Sequence, residues 1–216
     1  MRSTALVAYS LSIWIATSGV AAVASDDVPH RDVTLHAEAR GIGPVRETEI
    51  LPLTIRLSGS HLRIDFESRS GEDGYLLADT TADARQAWMV SRSGDVALPV
   101  PAPGWTTFRL DPEAPCADMA ARCEPESVDV VANRLVRKWR YRDADGRGPD
   151  GTDTGTLWVD PQTGLLLAFK GRLAGRGDVR GYKVTAVEHT PMSPDLFELP
   201  RTLDQAEADA RNGRTK

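Results

Sequence analysis

Cys116 and Cys123 are the only cysteines in the 216 residues, and their spacing limits what they can do. The C-x2-C spacing of zinc sites and dithiol redox motifs is missing, as is the C-x-x-C-H pattern of haem attachment. On one unbroken helix, seven residues rise about 10 Å, beyond the reach of a disulfide. Two states stay open: an interrupted segment closed by a bridge, or two free thiols. His30, His36, His61 and His189 fall in separate segments without H-x-H or H-x-x-x-H spacing, so they read as surface histidines and no metal ligand is assigned. Asp143, Asp145 and Gly148 stand like the first, third and sixth positions of a calcium loop. Arg147 occupies a ligand position, however, and Thr154 replaces the bidentate glutamate, so a solvated hairpin loop fits better. No G-x-S-x-G, S-x-x-K or phosphate-binding glycine loop occurs. Asp65 and Glu67 lie two apart on one strand, as many surface carboxylates do. No catalytic residue and no cofactor is assigned, and the expectation is a protein that is not an enzyme.

Composition narrows the setting. The first 24 residues hold one charge, Arg2, then an apolar run, then Ala22-Val23-Ala24 ahead of Ser25. This pattern predicts a cleaved secretory signal peptide over 1–24; serines, Thr17 and Gly19 dilute the run as a membrane anchor. Export to the periplasm in turn predicts that Cys116 and Cys123 form a disulfide. With 31 acidic against 26 basic residues the formal charge is −5, which argues against nucleic acid as a partner. The residues after 24 suffice for one domain with a real core.

Those chemistry-poor residues are carried by strand-like segments. Val33, Leu35, Ala37 and Ala39 alternate with polar residues, the period of a half-buried strand. Leu51, Leu53, Ile55 and Leu57, the Ser58-Gly59-Ser60 turn, and Leu62, Ile64 and Phe66 predict a hairpin with one apolar face. Residues 75–79 and 87–92 read as the next pair. Residues 97–103 are extended and proline-rich, an edge or a lid. Asp111-Pro112-Glu113 could start a short helix over 114–122, with Asp111 as N-cap and Pro112 at the first helical position. Strands follow at 128–131 and 135–142. The expected fold is mainly β: a curved antiparallel sheet of roughly nine to eleven strands, an open half-barrel. One or two short helices and the 97–111 segment would cover its concave face.

The most informative stretch is 155–200. Residues 156–160 and 165–170 are apolar runs joined by Pro161-Gln162-Thr163-Gly164, a proline-to-glycine turn; a third run at 182–188 completes a meander. Leu196, Phe197 and Leu199 then pin the departing chain. Trp158, Val159, Asp160, Pro161, Thr163, Gly164 and Leu165, with Asp195, Phe197, Leu199 and Pro200, resemble the C-terminal half of the LolA/LolB/RseB-like superfamily of bacterial envelope proteins. The resemblance covers roughly the last third of the chain and rests on structural motifs. It implies a LolA-like β domain over 25–200, followed by a polar tail at 201–216.

What the resemblance implies about function is a non-catalytic periplasmic carrier or receptor for a lipid, a lipoprotein acyl chain or another apolar ligand. The alternative is an RseB-like sensor or interaction module whose core is filled and whose partner is an envelope protein. The residues expected to line the concave face, and there to contact a ligand, are Leu53, Ile55, Leu62, Ile64, Phe66, Trp88, Trp139, Trp158, Phe169 and Tyr182. Trp105 is a further aromatic of that kind. Core filling and cavity lining both place apolar residues at period two, so pattern alone does not separate them.

Overall fold

Among the described residues, the alternation of apolar and polar residues folds as eleven strands in one antiparallel sheet. The computed structural model describes residues 32–42, 49–67, 73–79, 86–101 and 108–200. The expected signal peptide, Trp105 and the polar tail lie outside the described residues. The strands are β1 (Val33–Arg40), β2 (Leu51–Ser58), β3 (His61–Phe66), β4 (Gly74–Asp79), β5 (Gln86–Ser91) and β6 (Ala97–Pro101), then β7 (Arg122–Val131), β8 (Arg134–Arg142), β9 (Thr154–Val159), β10 (Leu166–Arg172) and β11 (Val179–Glu188). Their order is β6-β5-β4-β3-β2-β1-β11-β10-β9-β8-β7. Two meanders, one from each half of the chain, are therefore joined through the pairing of β1 with β11. The sheet is open, with β6 and β7 as its edges.

Residues opposite each other in an antiparallel pair share a face. Leu53 stands opposite Phe66, Ile55 opposite Ile64 and Leu57 opposite Leu62. Ala39 continues this face to Tyr182, Tyr182 to Phe169, Phe169 to Leu157 and Leu157 to Trp139. This inner face holds the core, where Leu35, Ile55, Leu62 and Leu157 have no exposed surface. The register slips at three places, His36/Ala37, Leu166/Ala168 and Pro125/Ser127. All three are in the half running from β1 through β11 to β7. Bulges bend a sheet and raise its twist, and in this half β7 comes back into contact with β11 across three intervening strands.

The expected covering helices are corrected: among the described residues the only helical elements are 3-10 turns at Ala117–Met119, Pro149–Gly151 and Pro194–Phe197. Asp111 uses its carboxylate to accept the Glu113 backbone N–H, an Asx turn in place of a helix start. Cys116 and Cys123 form a disulfide with 5.9 Å between their Cα atoms. Cys123 already belongs to β7, opposite Tyr141, so the expected strand at 128–131 begins at Arg122 instead. The expected lid at 97–111 divides. Ala97–Pro101 is the edge strand paired with β5. Phe108 and Leu110 are buried against the start of β10, where Leu110 N–H donates to the Gly164 carbonyl and Leu166 N–H to that of Phe108.

The Pro161–Gly164 turn is built as its residue types require. Gly164 has φ +69°, and a Cβ there would lie 2.4 Å from the Leu110 carbonyl oxygen. Asp160, 2% exposed, accepts the Gln162 N–H on one oxygen and the Arg134 guanidinium on the other at 2.7 Å. The chain leaving β11 then straps the opposite, outer face. Met192 N–H donates to Asp32, the Leu196 carbonyl accepts from Arg63 at 3.0 Å, and the Phe197 ring sits 5.8 Å from that of His61.

The loop at 143–153 is the expected hairpin connection, solvated at Asp143, Asp145, Gly146 and Arg147, yet it is packed at Ala144 and Thr152, which are fully buried. Tyr141 reaches across β9 and β10 to hydrogen-bond Thr152. It crosses over Gly155 and Gly171, where a Cβ would stand 2.7 and 2.4 Å from the phenol oxygen. Burial pushes the Tyr141 hydroxyl up to about 12, so it stays protonated as a donor.

Two stability outcomes follow from this packing. Gly171→Ala forces Tyr141 off its site and should cost about 1–3 kcal/mol; a denaturation midpoint equal to the parent's would contradict the close approach. Cys116→Ser opens a small loop and should cost at most about 2–3 kcal/mol. Intact mass before and after alkylation without reductant checks the bridge directly, since two alkylated cysteines would refute it.

Candidate functional site

The ten residues expected on one concave face do not share a face. Leu53, Ile55, Leu62, Ile64, Phe66, Trp139, Phe169 and Tyr182 lie on the inner face, most of them buried. Trp88 is opposite Leu77, which is opposite Arg63, and this row belongs to the outer face. Trp158 is opposite Ala168, which is opposite Lys183, again on the outer face. The reason is the period of two: Trp88 follows the inward Ala87, and Trp158 follows the inward Leu157. Trp139 is half-buried, and its indole N–H finds no acceptor among the described residues. Phe169 packs edge-on against Tyr182 at 5.2 Å, and Tyr182 donates its hydroxyl to the Leu166 carbonyl.

The two halves of the outer face differ. Over β2 to β4 the row of Arg56, Arg63 and Leu77 is neutralised and strapped. Arg56 and Arg63 both pair with Asp65, and the Arg63 guanidinium lies 3.8 Å above the Tyr75 ring. Across β1, β11, β10 and β9 the face opens into a cleft of about 500 Å³. Trp158 and Ala168 line it from β9 and β10, Lys170 and Lys183 from β10 and β11, Glu38 and Arg40 from β1, and Asp129, Val130 and Val131 from β7. Four strands separate β1 from β7 in the sheet order, so both can line one cleft only because the sheet curls around it. In this half the outer face is the hollow one. The bulges that cause the curl leave no mark in hydrophobic periodicity, which is why the cleft was missed; the cations at Lys170, Lys183 and Arg40 were the signal available.

Trp158 is held in place from both sides. Its indole N–H donates to Asp129 at 2.9 Å, and the Lys138 ammonium sits 5.6 Å from its ring. Lys138 in turn pairs with Glu126 at 3.1 Å. The indole hydrogen bond, the Val130 amide and the charges of Lys138 and Lys183 hold the Asp129 carboxyl below its ordinary value. At the far end of the cleft Arg180 pairs with Asp150 at 2.9 Å, though burial outweighs that partner and pushes the Asp150 carboxyl up. Among the described residues no group of three or more His, Cys, Asp or Glu could hold a metal ion.

A depressed carboxyl favours the arrangement above its unfolded value and loses that preference as pH falls through the folded value. The Trp158 indole N–H resonance should therefore shift on acidification with a midpoint below 3.8, the ordinary value for this carboxyl. Asp129→Asn should abolish the titration. A midpoint at or above the ordinary value would remove the proposed clamp on Trp158.

No family model matches the sequence, and no curated protein does. Solved structures do match. An uncharacterised conserved protein from Thermus thermophilus superposes with a TM-score of 0.52 at 13% identity, over 80% of this chain and 87% of that one. The Pseudomonas aeruginosa MucA/MucB complex gives 0.46 at 12% identity, over 81% of this chain and 57% of the matched one. A LolA superfamily protein from Nitrosomonas europaea gives 0.39 at 12% identity, over 79% and 91%. At these identities the likeness concerns the fold alone. The chain thus has structural matches to LolA superfamily and MucB structures over most of its length.

Proposed function

We propose that this protein is a non-catalytic binding module of the bacterial envelope, a carrier or receptor for an apolar or amphiphilic ligand such as a lipid or a lipoprotein acyl chain. The observation that carries it is the open cleft of about 500 Å³ with Trp158, Val130, Val131 and Ala168 among its walls. That volume lies in the range of ligand sites, and a rigid indole beside small apolar side chains is the kind of surface a chain or ring covers. On the inner face Leu53, Ile55, Leu62, Ile64, Phe169 and Tyr182 are buried, which supports core filling, one of the two readings the pattern left open for them. The expected signal peptide and the disulfide both accord with an exported protein.

A second reading has one observation in its favour. Val128 and Leu135, each 67% exposed, lie on the hairpin formed by edge strand β7 and β8. An exposed edge with apolar side chains is a surface on which a protein strand could dock. The two readings part in one experiment, native mass spectrometry of protein taken directly from cells. The carrier reading expects a bound lipid that Trp158→Ala reduces. A ligand-free protein that captures an envelope protein through an intact β7 edge favours the interaction module.

A further inference from the structure

The cleft carries charge of the opposite sign to the chain. Cross-strand register explains where it sits. Arg40 of β1 is opposite Gly181 of β11, and Gly181 is opposite Lys170 of β10. The two cations thus flank a residue without a side chain, at roughly 9–10 Å between Cα atoms for two strand spacings. Lys183 follows Gly181 on the same face of β11, roughly 6–7 Å along the strand. All three cations are exposed and line the cleft. None has an ion-pair or hydrogen-bond partner among the described residues. The neighbouring acids do not cancel them. Two acids share the lining: Asp129, which accepts the Trp158 indole N–H and feels the charge of Lys183, and Glu38, opposite Lys183; they offset three cations only in part. Elsewhere on the described surface many arginines are paired: Arg56 and Arg63 with Asp65, Arg92 with Asp73, Arg137 with Glu113, Arg142 with Glu124.

From this arrangement we infer that the cleft binds a phosphate-type oxyanion above Gly181, held by Arg40, Lys170 and Lys183, with whatever the phosphate is attached to lying along Trp158. Three convergent cations suit a group that carries close to two negative charges and several acceptor oxygens. Gly181 adds no side chain between them; the Phe169 carbonyl oxygen lies 2.3 Å from where its Cβ would stand, so the anion would be held by the three side chains and not on the backbone. Trp158 and Ala168 continue the floor two strands and one strand further on, so an attached apolar portion would leave the cations in the direction of the indole. The inference deepens the binding-module reading and rests on it.

Calorimetry on the full chain tests it with three probes: dodecyl phosphate and dodecyl maltoside, each below its micellar concentration, and inorganic phosphate. Dodecyl phosphate should bind at least about tenfold more tightly than dodecyl maltoside, and added salt should weaken it. Arg40→Gln and Lys170→Gln should each lower its affinity by about tenfold, whereas Arg92→Gln on the far half of the sheet should leave it unchanged. Thermal melts of the same variants check that these exposed substitutions leave the fold intact. Inorganic phosphate binding as tightly as dodecyl phosphate identifies a free anion as the ligand; tighter binding of dodecyl phosphate, lost with Trp158→Ala, identifies a headgroup. Equal binding of the neutral and the anionic detergent overturns the oxyanion site while leaving the binding module standing. Failure of all three probes overturns both.

Discussion

The pairing of β1 with β11 is the constraint on which the rest of this structure depends. Each meander is built from local hairpins, but neither closes a face of eleven strands alone. Val33–Arg40 and Val179–Glu188 come from opposite ends of the described chain and meet in the middle of the sheet. The loop-closure entropy is lost before their contacts form, so the pair must be well specified. Its apolar partners supply that specification: Leu35 opposite Val187, Ala37 opposite Val184 and Ala39 opposite Tyr182. The bulge between His36 and Ala37 is locally satisfied, because Thr185 donates its hydroxyl to the His36 carbonyl at 3.1 Å.

That same bulge begins the division of labour between the two halves. From β2 to β6 the pairing is regular, the inner face is core and the outer face is strapped by residues 192–200. From β1 to β7 three bulges add curvature, and the outer face becomes the hollow one. The core on the inner side is closed there by compact devices in place of helices. Tyr141 lies across Gly155 and Gly171, and the Phe108–Leu110 segment is sewn to the Pro161–Gly164 turn. The Cys116–Cys123 bridge ties that connection to β7. Short rigid links suit a segment that has to turn from a surface connection into an edge strand within seven residues.

The open sheet combines a filled inner face with a charged outer hollow. The polar groups of the cleft are placed by strand register, at fixed spacings and on rigid elements. Trp158 is clamped between Asp129 and Lys138, which fixes the indole that lines the cleft. Charge is distributed by register too: many arginines outside the cleft are neutralised in pairs, while Arg40, Lys170 and Lys183, without ion-pair partners among the described residues, are gathered around Gly181.

Much of the fold was legible in the residues. Leu51 to Phe66 specify their hairpin because every second side chain is apolar and Gly59 turns the chain. Asp160 to Gly164 specify theirs because proline, an Asx acceptor and a glycine at positive φ leave few alternatives. The disulfide was legible from an export-like leader and a cysteine pair. Three things were decided by tertiary structure. Residues 114–122 contain helix formers, yet Cys123 is claimed by β8 and the segment is pulled into a 3-10 turn. Trp88 and Trp158 look like core aromatics by composition, and only their strand partners, Leu77 and Ala168, reveal that they face outward. The cleft itself depends on where β7 returns relative to β1, which is set by bulges that insert single residues into the register. Periodicity determines which side chains share a strand face; it carries no information about which way the sheet curves, because curvature arises from twist and bulges summed over several strands.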